Sequence, residues 1–214
     1  MKQNFSARTT ALDDALGVGR CFDMTARDLT IGGRRARLWV VNGYAQEGVL
    51  ERIIAQWLAA PDLSDMKTPD AFLRRFVTAC DAAVCLKKEA AVLGVFSGKT
   101  LLVVDGWDGG ILMDVKQFPT RSIEEPDTSR VLRGSHDGFV ENLMQNAALL
   151  RRRVRDSRLR LERVQLKERS GTDVVLCYME GEADPSLLDE LRRKLAAVDV
   201  GSIAMSQESL TEAL

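Results

Sequence analysis

The chain has 214 residues, 45% of them hydrophobic and 29% charged, and a formal net charge of −1. That is enough for one large domain or two small ones around a packed core, which excludes a disordered chain. A near-neutral whole also excludes general steering toward nucleic acid or an anionic surface.

In chain order, the spacing predicts a short helix near Thr9–Leu16, stopped by "GVG". "CFDMTARDLTI" and "RRARLWVVNGY" flank Gly32–Gly33 and read as a hairpin. "AQEGVLERIIAQWLAA" has apolar residues at helical spacing and is ended by Pro61. "TPDAFLRRFVTAC" is a second helix, with Thr68 as N-cap and Pro69 in the first turn. "AAVCLK" reads as a short strand and "KKEAAVLGVFSG" as a helix closed by Gly98. "TLLVVDGWDGGILMDVKQF" is a second hairpin.

From Pro119 to Arg130 the pattern lapses into "PTRSIEEPDTSR", the expected linker. A long helix is then predicted from about Gly138 to Arg153, followed by strands "RLRLERVQLKE" and "TDVVLCYMEG". "DPSLLDELRRKLAAV" closes the series as a helix with Asp184 as cap and Pro185 at its first position. The expected fold is α/β of the α+β type with mixed sheets. It comprises an N-terminal α/β subdomain (1–118), a linker (119–130) and a C-terminal α/β subdomain (131–214).

Metal and redox chemistry find little support. Cys21, Cys80, Cys85 and Cys177 form no C-x-x-C pair, and His136 is the only histidine. No cofactor loop or nucleophile motif is present, so no catalytic residue, cofactor or metal is expected. Asp105 and Asp108 in "VVDGWDGG" read first as turn residues. The opening "MKQNFSARTTALDDALG" is too polar for a signal peptide. No apolar run approaches the roughly 18–20 residues of a membrane span. The residues given therefore read as a soluble intracellular chain.

The least ordinary stretch is "RVLRGSHDGFVENLMQNAALLRRRVRD", Arg130–Asp156. Arg130–Ser170 carries eleven Lys/Arg against five Asp/Glu. Within the expected helix, Asp137 is the predicted cap and Glu141 sits in the first turn. Phe139, Leu143, Ala147, Leu150 and Val154 share one face, widened by Val140 and Met144. Asn142, Asn146 and Arg153 form a flanking row, readable either as a solvated edge or as groups with bonding partners. Arg151, Arg152 and Arg153 fan out about 100° apart, so they form no flat patch, and without interleaved aromatics no nucleic-acid partner is expected. The loop "LRGSHDGF" could present an anion nest beside Arg133, but it lacks the P-loop lysine.

The same stretch resembles the signature of the GerA-type spore germination proteins, the germinant receptor A-subunit family. The matching positions are Glu124, Glu125 and Pro126; Arg133 and Gly134; Asp137, Gly138 and Phe139; Glu141; Asn146; Arg151, Arg152 and Arg153; and Asp156. "SGKTLLVVDG" and "VVLCYMEGEADPSLLDELRRKL" are also similar to the family. The likeness covers about Gly98–Leu195 closely and the first ninety residues in outline. The "RGS…DGF" form is nearest the stage V sporulation protein AF branch. One departure is His136, where the family usually has arginine or lysine.

The resemblance implies a non-enzymatic, cytosolic N-terminal domain of two small α/β subdomains, with membrane helices expected beyond Leu214. It implies a place at the cytosolic face of the spore inner membrane. Self-association and other germination-protein subunits are the expected partners, in assemblies that sense germinants or conduct ions. The motif residues are then an assembly element, with Glu124, Glu125, Asp137, Glu141 and Asp156 as candidate partners for Arg133 and Arg151–Arg153. The alternative is a ligand-binding domain holding a small molecule in a cleft between subdomains.

Overall fold

The computed structural model describes residues 4–60, 62–78, 80–116, 138–166 and 173–197. They form a mixed α/β fold of two compact units. One unit comprises Met1–Val18 with Asp23–Ser157, and the other Gly19–Phe22 with Arg158–Leu214.

The first unit holds a five-stranded antiparallel sheet in the order β1-β2-β4-β5-β3, made of β1 Met24–Ile31, β2 Arg34–Val41, β3 Asp81–Cys85, β4 Thr100–Val104 and β5 Gly110–Asp114. The β1–β2 turn is two glycines at positive φ, Gly32 at 50° and Gly33 at 77°, the backbone hand that matches strand twist. Because side chains alternate across a strand, the sheet has two apolar faces. Ala36, Leu38, Leu102, Val104, Ile111 and Met113 lie on one face. They pack with Ile53 and Trp57 of α2 (Glu47–Leu58) and Phe72 of α3 (Pro69–Phe76). Phe72 sits 5.7 Å from Trp57 and 5.1 Å from Trp107, ring centre to ring centre, and each such buried ring stabilises by ~1.5–3 kcal/mol.

The opposite face meets α1 (Phe5–Leu16) and α4 (Lys88–Phe96). Trp39 donates its indole N–H to Asp13 of α1 at 2.8 Å. Gly94 of α4 lies so close to Leu112 that an added Cβ would stand 2.6 Å from its Cδ1. The predicted ends hold closely: Gly17 closes α1 in the left-handed conformation, and Thr68 caps α3 through the Ala71 N–H.

The second unit pairs β6 (Leu159–Gln165) with β7 (Asp173–Met179) and lays α6 (Pro185–Ala197) on them. Leu166, Leu195, Val164, Val174 and Leu176 form its apolar cluster. Arg192 of α6 donates to both oxygens of Glu162, at 2.8 and 2.7 Å. That bond, then the one from Tyr178, holds the Glu162 carboxyl below its ordinary range despite partial burial.

The two compact units divide after Ser157, and the linker expected at 119–130 lies outside the described residues. One expectation is corrected. The helix carrying the three arginines, α5, belongs to the first unit and runs Leu143–Arg153, not from Gly138. The physical reason is a cap five residues later than the sequence suggested. Asn142, in extended conformation, accepts from the Gln145 N–H at 3.1 Å and starts the helix there.

Candidate functional site

Glu124, Glu125, Arg133, Gly134, His136 and Asp137 lie outside the described residues. The other motif residues can be placed. Gly138 and Phe139 precede α5 in irregular chain, and Phe139 is 64% exposed. Val154, just beyond the helix, is also exposed. Neither is part of a buried stripe, which corrects the expected core face. With the helix starting at Leu143, its buried positions are Ala147, Ala148 and Arg151.

Asn146 shows why the polar row exists. Its amide oxygen accepts from the Val140 N–H at 2.8 Å, and its amide nitrogen donates to the Val140 carbonyl at 2.6 Å. The side chain thus stands in for a paired strand and pins the entry segment onto the helix. Alanine cannot do this, and neither can a charged side chain limited to donating or accepting. Glu141 is exposed just before the cap.

Arg151 carries the main structural result. Its side chain and that of Asp23 are both 0% exposed. Nε donates to Asp23 Oδ2 at 2.8 Å and Nη2 to Oδ1 at 3.1 Å, a two-pronged ion pair. The guanidinium also lies 4.9 Å from the centre of the Phe96 ring. Tyr44, itself buried, donates its hydroxyl to the Ala148 carbonyl at 2.8 Å, one turn before Arg151. Burial drives the Tyr44 phenol up to about 12, against the opposing pull of Arg151 and Arg152. Met144 packs on Gly43, where an added Cβ would stand 3.0 Å from its Cγ. Asp23, Asn42 and Tyr44 belong to one corner: the Asn42 N–H donates to the Asp23 carbonyl at 2.7 Å. One helix face is therefore locked to the β1–β2 end of the sheet and to the end of α4.

Of the three arginines, then, Arg151 is buried, Arg152 half-buried and Arg153 exposed. That is the 100° fan predicted for successive residues. The expected acidic partners for Arg151 lay near it in sequence. Its buried partner, Asp23, is 128 residues away. Asp23, Tyr44 and Phe96 are the site residues that sequence reasoning missed. The one available signal was Asp23 itself, a lone acid between Phe22 and Met24 at the start of a strand.

Of the weaker candidates, Asp105 is taken by Arg35, at 3.1 and 2.7 Å, and serves the β4–β5 turn. The Arg8 guanidinium crosses the same turn, donating to the carbonyls of Trp107 and Gly109 at 2.7 and 2.8 Å. Among the described residues no cluster of His, Cys, Asp or Glu could hold a metal ion, and no helix is long and apolar enough to cross a membrane.

Comparison with known proteins gives this geometry a context. A family model described as Bacillus/Clostridium GerA spore germination protein matches residues 11–214. Stage V sporulation protein AF of Bacillus subtilis (strain 168) is 34% identical over 201 residues, 92% of this chain and 40% of that protein. Spore germination protein XA of Bacillus anthracis is 33% identical over 114 residues, 53% of this chain and 23% of that protein. The chain thus spans less than half the length of these relatives. The crystal structure of the N-terminal domain of the A subunit of the Bacillus megaterium spore germinant receptor GerK3 superposes with a TM-score of 0.70. It is 21% identical and covers 93% of this chain and 73% of that one, a likeness of fold.

Proposed function

Because the chain belongs to the Bacillus/Clostridium GerA spore germination protein family, we propose that it forms the cytosol-facing N-terminal part of a membrane-embedded germination protein. Its role is assembly and signalling in a germinant receptor or ion-conducting complex, without catalysis. The spore inner membrane is its place, and other germination-protein subunits are its partners.

The observation that supports this most directly is the division of labour among the motif arginines. Arg151 is buried against Asp23 and fixes the helix, so it is unavailable as a ligand-binding or catalytic cation. Arg153, two positions on, is exposed on a rigid mount. A helix locked on one side and charged on the other is suited to holding a neighbouring protein at a set geometry.

The test uses the full-length protein, tagged and extracted from spore membranes. Arg153→Glu should reduce co-purifying germination subunits and slow germination by more than any loss of melting temperature in the 214-residue chain accounts for. Asp23→Ala should weaken both the fold and the complex. Normal assembly and germination in both variants would refute the reading.

A further inference from the structure

Asn42 and Gly43 form the one Asn-Gly step in the chain, since Asn4, Asn142 and Asn146 are followed by Phe, Leu and Ala. The step makes the tight turn after β2, closed by the Tyr44 N–H, which donates to the Val41 carbonyl at 3.2 Å. Gly43 is exposed at φ 81°, and a Cβ there would stand 3.0 Å from Met144 Cγ. Backbone conformation and packing both keep glycine at this position.

Asn42 is therefore followed by a main-chain nitrogen with no side chain to shield it. Among the described residues, the Gly43 N–H and the Asn42 Nδ2 have no hydrogen-bond acceptor. Asn42 Oδ1 accepts from the Thr25 hydroxyl at 3.0 Å. A donor on that oxygen polarises the side-chain carbonyl and stabilises the negative charge that grows on it when its carbon is attacked. A nucleophile, a leaving group and an oxyanion donor meet at one residue.

We propose that Asn42 is a spontaneous modification site, converted through a cyclic imide with Gly43 to aspartate and isoaspartate, and that this conversion loosens the corner holding Arg151. Gly43 N gives its proton to solvent and bonds to Asn42 Cγ. The Cγ–Nδ2 bond breaks, and Nδ2 takes up a proton and leaves as ammonia. Water then opens the imide. Breaking the new bond from Gly43 N to Cγ gives aspartate in an unaltered main chain. Breaking the original peptide bond gives isoaspartate, with the main chain rerouted through Cβ and Cγ. Nothing is oxidised or reduced. The Asn42 N–H donates to the Asp23 carbonyl at 2.7 Å, and Asp23 is the buried partner of Arg151. Either product adds a negative charge beside Asp23, and isoaspartate also lengthens the main chain between these contacts. This chemistry does not depend on the assembly role.

The experiment ages the purified 214-residue chain in warm, mildly alkaline buffer and maps its peptides by mass. The Asn42 peptide should show the amide-to-acid mass gain about tenfold faster than the peptides holding Asn4, Asn142 and Asn146. The urea midpoint read by tryptophan fluorescence should fall in step with conversion. Aged Asn42→Gln, whose longer side chain closes the ring poorly, should keep its midpoint. Thr25→Val should slow conversion several-fold in the folded chain and leave it unchanged in urea, which separates the folded site from the bare dipeptide. Asn42 converting no faster than the other three, Thr25→Val without effect on the folded chain, or full conversion with an unshifted midpoint would each overturn the proposal.

Discussion

Asp23→Ala is the perturbation with the largest consequence. Both members of the ion pair are fully buried, and the substitution removes a carboxylate holding two hydrogen bonds of 2.8 and 3.1 Å. It leaves a guanidinium charge inside the protein with its ring contact to Phe96 but without the Asp23 carboxylate. Breaking a buried pair from one side costs about 3–5 kcal/mol. For a unit of this size each kcal/mol lowers the midpoint by about 2–4 °C, so the drop should be about 6–20 °C. Arg151→Met should cost a similar amount, because a buried carboxylate is then unpaired. Asp23→Leu with Arg151→Met together should recover most of the loss, since apolar groups of like volume need no desolvation. Tryptophan fluorescence in urea is the assay. Trp39, Trp57 and Trp107 are the only tryptophans, and all three lie buried in the first unit, which also holds both members of the pair. The transition they report is therefore the one the pair stabilises. Single variants within about 1 kcal/mol of wild type, the range of an exposed pair, would refute the reasoning, as would a double variant as unstable as the two losses added.

Three further outcomes follow from particular contacts. Asn146→Ala removes both bonds to Val140 and should cost about 1–3 kcal/mol, whereas Asn142→Ala loses one cap bond and about 1 kcal/mol, both read by urea midpoint. Gly33→Ala faces open space and should cost only its positive-φ strain, about 1–2 kcal/mol. Gly32→Ala puts Cβ 2.7 Å from the Leu63 backbone nitrogen and should cost clearly more. In an alkaline titration followed by phenolate absorbance, neither tyrosine should ionise near the ordinary value of about 10. Burial raises Tyr44 to about 12 and, with the bond to Glu162, raises Tyr178 as well. A folded-state value above the unfolded one means their contribution to stability is intact below about pH 10 and is lost as pH rises toward about 12. A phenolate signal at pH 10 in the folded protein would contradict this.

The sequence by itself determined the elements and the family. Thr68 with Pro69, Asp184 with Pro185, Gly32–Gly33 and the alternating strands are local signals, each decided by neighbours a few residues apart, and they appear in the structure where expected. The signature from Glu124 to Asp156 identified the family because it is a linear pattern. The start of α5 was misplaced because Asp137 and Asn142 are both competent caps, and local chemistry does not choose between them. Only the tertiary structure decided that Asn142 starts the helix, that Asn146 folds back on Val140, and that Arg151 turns inward to Asp23. Three consecutive arginines are identical as sequence. Their fates differ because rotation along the helix aims one of them at a carboxylate 128 residues distant, and a pairing across that separation leaves no periodic trace in the chain.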